Sequence, residues 1–95
     1  MEIKDTVLLM NSGDYKERFI AEYWQTKNRY EKLKAFNTKI EASRQTNECF
    51  RQEYVAQVEM PKHDCPDELL IQQQRVMGEY LHILEVRAVI EGIDL

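Results

Sequence analysis

Residues 66–91, PDELLIQQQRVMGEYLHILEVRAVIE, decide how this chain folds. Pro66 is pre-organised for the first turn of a helix, and Asp67 and Glu68 behind it complement the positive end of the helix dipole. Leu70, Gln73, Met77, Tyr80, Leu84 and Arg87 then follow a heptad line, with Leu69, Val76, Ile83 and Ile90 running beside it. Steps of three, four and seven keep side chains on one side of an α-helix. Gly92 is a natural stop. The expectation is a helix over 66–91, about 40 Å long. Its apolar residues, at 69, 70, 71, 76, 77, 80, 81, 83, 84, 86, 88, 89 and 90, cover well over half of its circumference. A single partner helix covers one stripe, so the remainder calls for a second partner.

The first partner lies upstream. Asn11-Ser12-Gly13 punctuates the chain, and Asp14 followed by Glu17 reads as a capping box. Phe19, Tyr23, Thr26, Tyr30, Leu33 and Ile40 then form the seam of an amphipathic helix over 14–42, which Ile20, Trp24 and Lys27 widen. Two helices of matched length suit an antiparallel hairpin within a single domain. Residues 1–13 are a lead-in in which Val7, Leu8, Leu9 and Met10 make a docking patch or a short helix. Residues 43–64 connect the long helices, with Phe50, Tyr54, Val55 and Val58 as candidates for a short helix and Met60-Pro61-Lys62-His63 as loop; with no Gly or Pro between Gly13 and Pro61, the alternative is that the first helix runs on.

The excess apolar surface of the second helix predicts self-association. Apolar area left in water costs about 25 cal/mol per Å², and packing hairpin on hairpin into a homo-oligomeric helical bundle with closed symmetry removes it. The fold class expected is therefore all-α. No stretch of the 95 residues approaches the apolar run of a membrane span, and the opening MEIKDTVLLM lacks the layout of a secretion signal. Cys49 and Cys65 read as reduced thiols, which places the protein in a cytoplasm. The net charge of −4 is unevenly spread. Between Asp14 and Arg44 eight Lys/Arg face five Asp/Glu, a net of +3, whereas the other residues carry five against twelve, a net of −7. An acidic chain with one basic helix argues against polymeric nucleic acid and leaves room for one local anion site.

Few residues carry reactive chemistry. Glu79-x-x-His82-x-x-Glu85 resembles half of a di-metal carboxylate site, with Glu22 as the further carboxylate that a hairpin dimer would add. That site needs Glu79 and His82 to face inward, where Met77, Tyr80 and Leu84 compete for the space. Cys49, His63 and Cys65 lack the paired spacing of a zinc site. Gly13, Gly78 and Gly92 are too far apart to form a phosphate loop, and Gly78 reads as a close helix–helix approach. None of this amounts to an enzyme or a cofactor site. The remaining constellation sets Tyr15, Tyr23, Trp24 and Tyr30 among Lys16, Arg18, Lys27, Arg29, Lys32 and Lys34 on the first helix. Rings stack on bases and guanidinium groups pair with phosphate. The plainer reading makes Tyr23 and Tyr30 core and the cations solvated.

The run Tyr15-Lys16-Glu17-Arg18-Phe19, Glu22-Tyr23, Arg29, Lys32-Leu33, Phe36, followed by Leu69-Leu70, Gln73, Met77, Tyr80-Leu81, Leu84, Arg87, resembles a family of small phage-encoded helical hairpins of crAss-like and other gut-bacterial phages. That family is similar in layout to the hairpin of phage anti-CBASS and anti-Thoeris sponge proteins. In those, a Tyr near the start of the first helix precedes a Lys by about four turns, and the second helix carries a Gln, Met, Leu, Arg-Ala run. Tyr15 and Gln73, Met77, Leu84, Arg87-Ala88 match, while Tyr30 stands where that pattern has Lys, flanked by Arg29 and Lys32. The resemblance implies a phage anti-defence protein of the host cytoplasm that sequesters a cyclic-oligonucleotide or ADP-ribose signal at subunit interfaces. Together with the basic charge and interleaved aromatics of the first helix, it gives Tyr15, Arg18, Trp24, Arg29, Tyr30, Lys32 and Arg87 as the expected ligand residues. The alternative is a non-catalytic protein–protein interaction module, and a more distant one is the di-metal bundle.

Overall fold

A computed structural model of the chain describes residues 1–47 and 58–95, and all regular structure among them is helical. A 3₁₀ turn over Ile3–Thr6 runs into a short helix α1, Val7–Met10, followed by two long helices, α2 over Tyr15–Asn47 and α3 over Asp67–Glu91. The extra turn of α2 beyond residue 42 follows from its sequence: no Gly or Pro interrupts it, and the Thr46 hydroxyl bonds back to the Ala42 carbonyl at 2.9 Å. Asp14 caps α2 by accepting the Lys16 N–H at 3.0 Å, but only half of the expected box forms. The Asp14 N–H goes to Ser12 Oγ at 3.0 Å rather than to Glu17. At the other end Gly92 adopts φ +69°, which a side chain rarely tolerates, and the next N–H, of Ile93, bonds to the Ala88 carbonyl at 2.8 Å.

The two long helices are antiparallel. Tyr15 meets Glu91, Tyr23 meets Glu85, Tyr30 lies on Gly78, Asn37 bonds Gln74 and Arg44 bonds Asp67, in strictly opposite order. The α2 side of this interface is the expected seam: Phe19, Tyr23 and Ile40 are buried and Tyr30 and Leu33 half-buried. The α3 side is rotated by about one residue from expectation. Leu81, Leu84 and Ala88 are buried, with Leu70, Gln74 and Met77 half-buried, whereas Gln73, Tyr80 and Arg87 are exposed. The main core gathers Phe19, Tyr23, Leu81, Leu84, Ala88 and Ile93 near one end of the hairpin. Gly78 has the role expected of a small residue, since a Cβ there would meet the Tyr30 ring at 3.4 Å.

The lead-in covers another face of α2. Thr6 is fully buried, its hydroxyl donating to the Ile3 carbonyl at 2.6 Å and accepting from Gln25 Nε2 at 2.9 Å. The docking side is thus Thr6 with half-buried Leu9 and Met10, while Val7 and Leu8 point outward. Val58 is half-buried and outside any helix, and Phe50, Tyr54, Val55 and Cys49 lie outside the described residues.

Candidate functional site

At the end of the hairpin where α2 begins and α3 finishes, Met10, Tyr15, Arg18, Phe19, Glu22 and Arg87 line an open cleft of about 270 Å³. Capping at Asp14 makes Tyr15 the first residue of α2, so Tyr15, Arg18, Phe19 and Glu22 share one side of its first two turns. Arg87 reaches the cleft because burial of Leu84 and Ala88 turns it toward the flank of α3. Its guanidinium lies 5.0 Å from the centre of the Phe19 ring, a cation–π distance, and the Tyr15 ring meets the same Phe19 edge-on at 6.2 Å.

The polar atoms are tightly linked. Arg87 Nε donates to Glu91 Oε2 at 3.0 Å, an Arg87 Nη–H donates to the Tyr15 hydroxyl, and that hydroxyl donates to Glu91 Oε1 at 3.1 Å. The Glu91 carboxylate and the Tyr15 oxygen together hold the Arg87 pKa above its usual value. Arg18 donates to the Ser12 carbonyl at 2.8 Å, which ties it to the loop before α2. Glu22 forms the acidic wall. It raises the pKa of Tyr80, whose hydroxyl is affected first by partial burial and then by that carboxylate.

Of the seven expected ligand residues, Tyr15, Arg18 and Arg87 come together here. Arg29 and Lys32 are exposed further along α2, on either side of Tyr30, which is spent on covering Gly78. Fifteen residues of helix put Tyr30 about 22 Å from Tyr15. Trp24 sits elsewhere again, half-buried and edge-on to Tyr23 at 5.2 Å. Tyr23 itself is core: burial, then the 2.7 Å bond to Glu85, pushes its hydroxyl up to about 12. Phe19 as the floor of the cleft and Glu91 as its bridging acid were not expected. The Arg87 to Glu91 spacing of four was the legible signal for the second. The metal candidates do not converge: His82 is strongly exposed, its Nδ1 lies 3.9 Å from Glu85 Oε1, and Glu85 accepts from Tyr23.

A second polar cluster closes the far end. His63 places Nδ1 2.7 Å from the Pro61 carbonyl and Nε2 2.9 Å from Asp67 Oδ1, while Arg44 Nε donates to Asp67 Oδ2 at 2.7 Å. Phe36 presents its edge to the imidazole at 5.8 Å. The face of α3 that α2 leaves uncovered carries Leu69, Val76, Ile83 and Ile90 at intervals of seven, all exposed, with Tyr80 and Val86 between them.

Compared with known proteins, the chain matches a family model described as Sequestin over residues 13–60 and 59–90, a span that takes in α2 and all of α3 but its last residue. No curated protein matches it, and no solved structure does.

Proposed function

The chain belongs to the Sequestin family, and from that membership we propose that it is a phage anti-defence protein that binds and sequesters a nucleotide immune signal without chemically changing it. The signal is of cyclic-oligonucleotide or ADP-ribose type, held at subunit interfaces of a homo-oligomer in the host cytoplasm, with no cofactor. The observation that carries this reading is the cleft joining Tyr15, Arg18 and Arg87 over the Phe19 ring. Guanidinium groups pair with phosphate oxygens two at a time, and an exposed tyrosine offers a face to a base. Sequestration asks only for tight binding and needs no reactive group.

Two features support placing the ligand between subunits. The exposed heptad of α3 is a second helix-binding face on an already paired helix. The expected ligand groups also fall in two clusters, Tyr15 with Arg18 and Arg87, and Arg29 with Lys32, separated by about 16 Å along α2. A ligand that uses both clusters would therefore bridge two copies. The exposed stripe also favours a second reading, a protein–protein interaction module whose partner is another protein.

Calorimetry against cyclic di- and trinucleotides and ADP-ribose tests the proposal. Binding is expected, weakening as salt rises, and Arg87→Ala or Tyr15→Ala should reduce affinity about tenfold or more while the oligomer persists, since each substitution is present in every subunit. Absence of binding at millimolar ligand for the whole panel would turn the assignment to the interaction module.

A further inference from the structure

We infer that Glu91, beside the anion cleft, is its built-in competitor, a carboxylate that holds Arg87 and Tyr15 in place until a phosphate displaces it. The inference rests on the anion-binding reading of the cleft and adds how that cleft is regulated. Both oxygens of Glu91 are used: Oε2 accepts from Arg87 Nε at 3.0 Å and Oε1 accepts from the Tyr15 hydroxyl at 3.1 Å. A phosphate group presents two oxygens with similar spacing and more charge, so it can take the same two donors.

The stability of α3 does not account for Glu91. It is the last residue of the helix, where the dipole is negative and an acid is disfavoured, and the last turn holds no basic residue. The pair Arg87 to Glu91 runs in the weaker order, with the base on the N-terminal side. What Glu91 does accomplish is across the hairpin: it joins the end of α3 to Tyr15 at the start of α2. With Glu91 seated, the Arg87 guanidinium lies over the Phe19 ring and its position is already set for an incoming anion. The cleft therefore exchanges one anion for another, and ligands with a single weak charge compete poorly with the resident carboxylate.

Glu91→Gln keeps the shape of the side chain and removes its charge, and Glu91→Ala removes the competitor altogether. Titration calorimetry of the full chain with inorganic pyrophosphate and with ADP-ribose should show both variants binding about two- to fivefold more tightly than the native protein, the range expected for freeing a solvent-exposed ion pair. Arg87→Ala should bind more weakly than either. Tighter binding by the Glu91 variants, including binding that appears only in them, supports the gate. Equal or weaker binding by both, with native binding intact, overturns the gate and leaves the anion site standing. Binding by none of the proteins, or native binding that Arg87→Ala leaves unchanged, overturns both.

Discussion

Leu84 shows how much one side chain decides in a hairpin this small. It is 1% exposed and packs in the cluster of Phe19, Tyr23, Leu81, Ala88 and Ile93. Truncation leaves a void that so thin a core closes poorly, so Leu84→Ala should lower unfolding free energy by about 2–5 kcal/mol, read from urea titration of the helical signal. A loss under 1 kcal/mol would place the stabilising core elsewhere. Among the residues that line the cleft, Tyr15 and Arg18 stood out in the sequence because a basic, aromatic helix start is a local pattern. The tie between Tyr15 and Arg87 spans 72 positions and depends on the register of two helices, which no local pattern encodes. Trp24 illustrates the converse: its residue type suited base stacking, but its direction from the helix axis takes it to Tyr23 instead.

At the scale of elements, α2 was readable and α3 was readable only in extent. The few large apolar residues of α2 define one seam. In α3 so many positions are apolar that two adjacent lines compete, and Gly78 against Tyr30 settles the rotation in favour of Leu81, Leu84 and Ala88. The connector joins α3 through His63, whose two ring nitrogens both face acceptors, an arrangement only the protonated ring satisfies fully. The Pro61 carbonyl, and then Asp67, raise the His63 pKa above 6.5; the imidazole, and then Arg44, lower that of Asp67 below 3.8. His63 thus contributes stability in full below pH 6.5 and loses it as pH rises through the folded value. Asp67 contributes above pH 3.8 and loses it as pH falls through its own folded value. The cluster is complete between those limits. Melting temperature should fall as pH is raised above 6.5, and His63→Gln should flatten that limb. The same slope in the variant would remove His63 as its cause.

For the molecule as a whole, the exposed heptad of Leu69, Val76, Ile83 and Ile90 is the feature whose consequence reaches furthest. Its presence was legible as an excess of apolar positions; its separation from the buried line became clear only once α2 was in place. Sedimentation at micromolar concentration should give a dimer or larger species, and Val76→Glu with Ile83→Glu should shift it to monomer without loss of helix. A native chain that sediments as a monomer would assign the stripe to a different partner.

The core cluster of Phe19, Tyr23, Leu81, Leu84, Ala88 and Ile93 occupies one half of the hairpin, and the other half is closed by buried Ile40 and Ser43, by half-buried residues and by the polar ties of Asn37, Arg44 and His63. Opening the second half exposes less apolar surface than opening the first, so amide protons along a single continuous helix will not exchange with solvent at one common rate. Deuterium should enter α2 fastest from Leu33 to Arg44 and slowest around Phe19 to Tyr23, with a mirrored gradient in α3 from Leu70 to Leu84. A chain with this gradient yields first at the end remote from the cleft, so partial opening leaves Tyr15 and Arg87 together, and a ligand seated there would keep those contacts while the far half opens.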